Sequence, residues 1–216
     1  MQMETAHVPM AWPDVPRLAF GAGLADDLNA NVAWVQSRTR DMYGYVEGYR
    51  RAAIALFDYA ESSRASPDYM LFPIAFAWRH YLEIALKDII AAGRELAGDG
   101  WGFPSGHKLL DLWKAARPHI AKLGDPAAPE LANVENNLVE FDRIDHLGDG
   151  FRYPLNSART GPSLQSPPES VSLRFLHEAM DAVAMFLLCV RSELSARLDY
   201  VNEMEAQQQR EYERGL

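Results

Sequence analysis

The chain has 216 residues, of which 48% are hydrophobic and 24% are charged, and its net charge is −9 at pH 7. This composition is ordinary for a globular protein with a substantial core. The acidic balance argues against the broad basic surface of nonspecific nucleic-acid binders. The single cysteine, Cys189, excludes an intramolecular disulfide and a cysteine-based zinc site within one chain. Its apolar surroundings, AMFLLCV, predict a buried and unreactive thiol.

The N-terminal part of the chain predicts an irregular arm followed by a long helix. Residues 1–25 contain three prolines and two glycines between aromatic side chains, which is typical of an arm that packs on a globular body. The sequence begins without a basic region and a long apolar stretch, so we expect no signal peptide. A helical pattern then extends from about Asp26 to Arg64. Within it, Gly44 and Gly48 predict a break or a close contact between helices.

Four further helices and two loops follow in chain order. Pro67 opens a second helix that extends to about Leu96, and the glycine-rich stretch 97–106 predicts a loop. The remaining predicted helices are one from His107 to about Leu123, which Pro118 should kink or end early, one from Pro129 to about Leu147, and one from about Ser170 to Tyr212. Residues 148–169 form a long loop, and loops of this length are usually functional or mobile. The GDG triplets at 98–100 and 148–150 are too short to identify a site.

These segments predict an all-α protein, because no alternating strand pattern and no internal repeat is present. We expect an up-and-down bundle of four to five helices with an irregular N-terminal arm and a long C-terminal helix. The predicted organisation is an arm at 1–25, a helical domain at 26–195 and an exposed polar end of the last helix at 196–216. The longest apolar run is too short to span a bilayer, which predicts a cytoplasmic protein with no membrane segment.

The second predicted helix carries an unusual set of charges in its apolar stretch FAWRHYLEIALKDII, residues 76–90. At about 100° per residue, four ionisable side chains fall within one sector of about 100°: Arg79, His80, Glu83 and Lys87. Two interpretations are open. The sector is either a solvated face with ion pairs along the helix, or one wall of a groove. Because Phe72 and Phe76 project into the same sector, we favour a groove, and the loop after Gly148 is the candidate cover.

Three segments in order resemble the HEPN superfamily of helical bundles. They are RHYLEIALK (79–87), GHKLLDLW (106–113) and FRYP (151–154), and the resemblance covers roughly residues 68–190. It implies a bundle of four or five helices that is frequently dimeric. Members of the superfamily include metal-independent ribonucleases of phage defence and toxin–antitoxin systems, noncatalytic modules that bind RNA or nucleotides, and partners of nucleotidyltransferases.

The catalytic members carry an arginine followed, after four to six residues, by a histidine. The histidine acts on the 2′-hydroxyl or the leaving oxygen, and the arginine stabilises the charged phosphorane. No histidine of this chain has an arginine at that spacing, so we predict binding or assembly rather than cleavage. If the chain is a nuclease, we expect His80 to be the acid or base and Arg79 or Arg152 to stabilise the phosphate.

Taken together, these residues predict a protein of a bacterial defence or stress system that binds RNA or a nucleotide, or that serves as an assembly module with a degenerate nuclease motif. The groove is expected to be lined by Arg79, His80, Glu83, His107, Asp145, Arg152 and Tyr153. Arg143 and His146 are candidate phosphate contacts, or cations that complement the end of a helix. We predict no metal and no cofactor. The expected partners are a second copy of the chain and a protein of the same defence or toxin–antitoxin operon.

Two alternative functions stay open at this point. One is an active metal-independent endoribonuclease. The other is a purely structural homodimer, in which the charged sector is an ion-pair network at the interface of the bundle. Arg152 and Tyr153 also have a structural alternative, in which they anchor their loop to a carboxylate such as Glu83 or Asp145.

Overall fold

Five helices make up the part of the chain that the structure, a computed structural model, describes, namely residues 42–63, 66–124 and 128–214. They are α1 (Tyr43–Ser62), α2 (Pro67–Leu96), α3 (Leu109–Ala121), α4 (Ala128–Ile144) and α5 (Leu173–Arg214). Within the described ranges there is no β-strand, and only an isolated bridge joins Leu155 to Pro162. The predicted all-α class is therefore confirmed. The predicted arm at 1–25 and the helical pattern at 26–41 lie outside the described residues.

Helix α2 is the centre of the bundle. It packs against α1, α3 and α5, while α3 packs against α4 and α4 against α5. Successive helices are therefore neighbours, as in an up-and-down bundle. Every residue of α2 from Tyr81 to Gly93 is buried. A helix buried on all sides must pair any charge that it carries, because an unpaired buried charge costs several kcal/mol of folding free energy.

The helix ends follow the sequence signals in most places. Helix α2 begins at Pro67, whose fixed φ angle suits the first turn of a helix, and it ends at Leu96 as predicted. Helix α3 continues through Pro118 to Ala121. The helix therefore extends three residues beyond the proline and does not end there. A proline near a C-terminus removes one intrahelical hydrogen bond, and Ile120, two residues after it, is still buried in the core.

The close helix contact predicted at Gly44 and Gly48 is found elsewhere. A Cβ atom at either position would meet nothing within 4 Å, and α1 continues through both residues. The crowded position is Gly93 in α2, where a Cβ atom would lie 2.4 Å from Cγ of His119 in α3. Gly93 therefore allows α2 and α3 to approach closely.

Two glycine substitutions should have opposite effects on stability. Gly48→Ala is expected to raise the free energy of unfolding by up to about 1 kcal/mol, because alanine favours an exposed helix interior. Gly93→Ala is expected to lower it by about 1–2 kcal/mol, because the new methyl group displaces the His119 side chain at its Cβ end. Urea denaturation of both variants measures the difference. A Gly93→Ala variant as stable as Gly48→Ala would contradict the packing described for α2 and α3.

The long last helix, α5, packs on the bundle only along its first part. Val183, Leu187, Val190 and Leu194 are buried, whereas every residue from 199 to 214 is exposed. Cys189 lies between the buried residues Leu187 and Val190 in the sequence, but it is exposed. The prediction of a buried thiol is wrong, because an apolar neighbourhood in sequence does not specify which side of a helix faces the core. In the described part of the chain, no helix combines the length and apolarity that crossing a membrane requires.

Candidate functional site

The charged sector of α2 is buried and centres on Glu83. Arg79 Nη1 donates to Glu83 Oε2 at 3.2 Å, and Lys87 Nζ donates to Oε1 at 2.8 Å. The exposed fractions of Arg79, Glu83 and Lys87 are 1%, 6% and 7%. The solvated-face interpretation is therefore wrong, and the charges line an enclosed part of the bundle. Both bonds follow from the i,i+4 spacing, which places these side chains one above another on the helix.

His107 completes the group of side chains that we call the Glu83 cluster: Arg79, Glu83, Lys87 and His107. Its Nδ1 atom lies 2.7 Å from Glu83 Oε1, and its backbone carbonyl accepts a 2.6 Å hydrogen bond from Arg79 Nη2. The His107 side chain is nevertheless 64% exposed. A buried carboxylate that holds one ring nitrogen fixes the orientation of a histidine and leaves the other nitrogen for a ligand.

The electrostatics of the cluster keep Glu83 ionised. Burial acts to raise the pKa of Glu83, but hydrogen bonds from Lys87 and His107 outweigh it, and the pKa of this carboxyl is lowered. Burial lowers the pKa of Arg79, and the charge of Asp145 is the largest influence opposing that shift. Asp145 and Glu83 thus supply negative charge for the buried cations Arg79 and Lys87.

The loop after α4 reaches the cluster through Asp145 and two glycines. Asp145 is 1% exposed, and its Oδ1 atom accepts hydrogen bonds from the amides of Gly148 and Gly150, both at 2.9 Å. Gly148 has a φ angle of +80°, and a Cβ atom there would lie 3.0 Å from Arg79 Nη2. Gly148, the first residue of the GDG triplet at 148–150, therefore allows the loop to cover Arg79. The triplet is too short for the sequence alone to have identified it as part of a site.

The cover of the charged sector has two parts, of which we predicted one. The loop after Gly148 contacts Arg79 as described. The segment between α2 and α3 supplies the other part, since His107 binds Glu83 and the ring of Phe103 lies 5.7 Å from Lys87 Nζ. The sequence could not reveal this second contact, because a loop of glycines and aromatics contains no periodicity from which to derive its position.

A second group of side chains, which we call the Arg152 surface, consists of Phe76, His80, Arg152 and Tyr153. Arg152 Cζ lies 5.6 Å from the Phe76 ring centroid and 5.7 Å from that of Tyr153. His80 stacks on Phe76 with centroids 5.8 Å apart. Arg152 and Tyr153 are exposed, while Phe76 and His80 are half-buried. The group combines a cation with aromatic faces, as single-strand nucleic-acid sites do.

The Arg152 surface borders the Glu83 cluster at His80. Burial lowers the pKa of His80, and the charges of both Glu83 and Arg152 act on it. Tyr49 of α1 supports the ring from the other helix, in an edge-on contact with centroids 4.3 Å apart. Tyr49 was missed in the sequence, because no local pattern indicates which tyrosine of α1 meets α2. The structure thus brings six of the nine predicted site residues into two adjoining groups, with Asp145 beside them.

The other two predicted residues make contacts of a different kind. Arg143 Nη1 donates to the backbone carbonyl of Ser166 at 2.8 Å, and His146 Nδ1 lies 2.8 Å from Asp142 Oδ2. Both side chains therefore bind groups at the end of α4 and in the loop that follows it. Within the described residues, no three histidine, cysteine or acidic side chains are grouped as a metal site would require.

Comparison of the chain with protein-family models, with curated proteins and with solved structures finds no match.

Proposed function

We propose that this chain binds a nucleotide unit, free or within single-stranded RNA, and that it is a HEPN-like binding protein of a bacterial defence or stress system. The observation that supports this proposal is the Arg152 surface, where an exposed guanidinium lies over two aromatic rings. Arg152 suits a phosphate, and the exposed face of Tyr153 suits a base. The exposed ring of His107, oriented by Glu83, is a further hydrogen-bonding group, in the Glu83 cluster that borders this surface at His80.

The environment of Arg79 favours binding over cleavage. Its guanidinium donates to Glu83 and to the carbonyl of His107, and only 1% of the residue is exposed. A phosphate could reach it only after the loop at Gly148 moved away. We therefore propose that Arg79 positions His107 and does not touch the ligand. The roles of His80 and Arg152 in a nuclease stay predictions, and the absence of the arginine-to-histidine spacing weighs against them.

The environment of Glu83 also bears on the structural alternative. That alternative needs the charged sector at an interface between two copies. The partners of Arg79, Glu83 and Lys87 are in the same chain, and all three side chains are buried within it. The network therefore gives no support to a dimer interface at this place.

Binding can be tested by fluorescence anisotropy with labelled single-stranded RNA and by calorimetry with AMP. Tyr153→Ala is expected to weaken RNA binding about fivefold to 150-fold, because loss of one stacked base costs about 1–3 kcal/mol. Arg152→Ala should weaken binding and reduce its salt dependence, since one phosphate contact is lost. Arg210→Ala, which removes the same charge from the exposed end of α5, is the matched control and should bind as the unmodified chain does.

Two outcomes would contradict the proposal. No measurable binding of RNA or AMP at low salt would exclude the site, and equal losses of affinity in Arg152→Ala and Arg210→Ala would indicate a nonspecific charge effect.

Incubation of the bound RNA with and without EDTA tests the nuclease alternative. RNA products that form in EDTA and disappear in His80→Ala would replace the binding proposal by cleavage.

A further inference from the structure

A cavity of about 420 Å³ lies apart from the Glu83 cluster and the Arg152 surface. Helices α2, α4 and α5 form its walls with apolar side chains, among them Ala75, Phe141 and Leu176, and the loop between α4 and α5 adds Leu164 and Pro167 to a cavity that stays partly open to solvent. Small-molecule sites typically have volumes of about 300–1,000 Å³. No residue of the Glu83 cluster or of the Arg152 surface lines the cavity, so it is a separate site.

The loop wall of this cavity is held in place by specific bonds. The amide of Gln165 donates to the carbonyl of Ile144 at 2.8 Å, and Arg143 donates to the carbonyl of Ser166. Leu164 packs on Gly150, where a Cβ atom would lie 2.6 Å from Leu164 Cδ2. These contacts hold the loop wall against the end of α4. Arg143, which the sequence predicted as a phosphate contact, forms one of them.

The charges around the cavity indicate what it can hold. Glu140 is the one ionisable side chain among the residues that line it, and the others are apolar apart from Asn137, Ser170 and Ser172. An anion would lose its hydration there without meeting a cation, and it would be repelled by Glu140. An uncharged ligand meets no such obstacle, because it can bury its apolar surface and bond to the amide or the hydroxyls.

We infer that this cavity binds an uncharged, largely apolar small molecule, independently of the nucleotide site. Binding of the ligand buries its apolar surface against Phe141, Leu164 and Leu176, and the negative Glu140 selects against anions of the same shape.

Two fluorescent probes with the same aromatic skeleton test this inference. N-phenyl-1-naphthylamine is uncharged, and 1-anilinonaphthalene-8-sulfonate differs from it by one sulfonate. The uncharged probe should bind the full chain saturably at one site, and the sulfonate should bind at least tenfold more weakly. Excess single-stranded RNA should not displace the uncharged probe. Displacement would place the probe at the nucleotide site and overturn the inference, whether or not RNA binding itself is established.

Substitutions at the cavity locate the bound probe. Ala179→Trp, which fills the cavity from α5, should abolish binding of the uncharged probe, while Val139→Trp, an exposed position of α4 that does not line the cavity, should leave it unchanged. Circular dichroism checks that both variants fold.

Glu140→Lys, at an exposed position, tests the selection against anions. It should strengthen binding of the sulfonate at least fivefold and alter binding of the uncharged probe less than twofold. Equal binding of both probes, or no response to Ala179→Trp and Glu140→Lys, would overturn the inference.

Discussion

Glu83→Gln is expected to lower the free energy of unfolding by about 3–5 kcal/mol, the usual cost of removing one partner from a buried ion pair. The substitution keeps the size of the side chain and removes its charge. Arg79 and Lys87 then remain buried without the carboxylate to which both donate, at 3.2 and 2.8 Å. Guanidinium or urea denaturation of the two proteins at pH 7 measures the difference.

An exposed pair of the same spacing provides the control for this experiment. Glu193 accepts from Arg197 Nε at 2.8 Å in an i,i+4 pair on α5, and the two side chains are 50% and 38% exposed. Glu193→Gln is expected to change stability by no more than about 0.5 kcal/mol, because solvent screens the pair and hydrates the arginine that is left. Equal effects of the two substitutions would show that burial adds nothing to the Glu83 cluster, and would contradict its structural role.

The effect of Glu83→Gln should also depend on pH, with a definite sign. The pKa of Glu83 is lowered in the folded protein from its ordinary value of 4.5. Its ionisation therefore stabilises the fold fully above about pH 4.5, and this contribution is lost as the pH falls through the lowered pKa. The stability difference between the unmodified chain and Glu83→Gln should accordingly be constant near neutrality and decrease in acid.

The fold could be predicted from the sequence where local signals act. Pro67 and the glycines after Leu96 mark the two ends of α2, because proline suits a first helical turn and glycine suits the turn that follows a helix. The exposure of Cys189 could not be predicted, since it depends on which side of α5 packs against α2. The side chains near Cys189 in the sequence are apolar on both sides of the helix. The periodicity therefore does not indicate which side of α5 faces the core.

The candidate site could be predicted in part, for a related reason. The helical spacing of Arg79, Glu83 and Lys87 placed these residues together, and two phenylalanines in the same sector indicated a groove. The approach of His107 depends on the path of the preceding loop, and the contact of Arg79 with Gly148 depends on a positive φ angle. Both are long-range contacts, and only the assembled bundle determines them.

Asp145→Ala is expected to lower the free energy of unfolding by about 2–4 kcal/mol, because two amides lose their acceptor and each buried donor left unpaired costs about 1–3 kcal/mol. The amides are those of Gly148 and Gly150, which bond to the same Oδ1 atom. Asp145→Asn retains an oxygen for both amides and removes only the charge that favours ionised Arg79. Its expected cost is smaller, about 1–2 kcal/mol, so the two variants separate the hydrogen bonds from the charge.

Asp149 offers a control in the same turn, and it links Asp145 to the proposed ligand. The side chain of Asp149 accepts neither glycine amide, and Asp149→Ala should change stability by less than about 0.5 kcal/mol. Its backbone carbonyl receives the amides of Arg152 and Tyr153, both at 3.1 Å. Loosening the turn with Asp145→Ala should therefore weaken RNA binding as well as stability, whereas Asp149→Ala should alter neither. Unchanged stability in both Asp145 variants would mean that other contacts hold the loop over Arg79, and that the bonds to Gly148 and Gly150 do not.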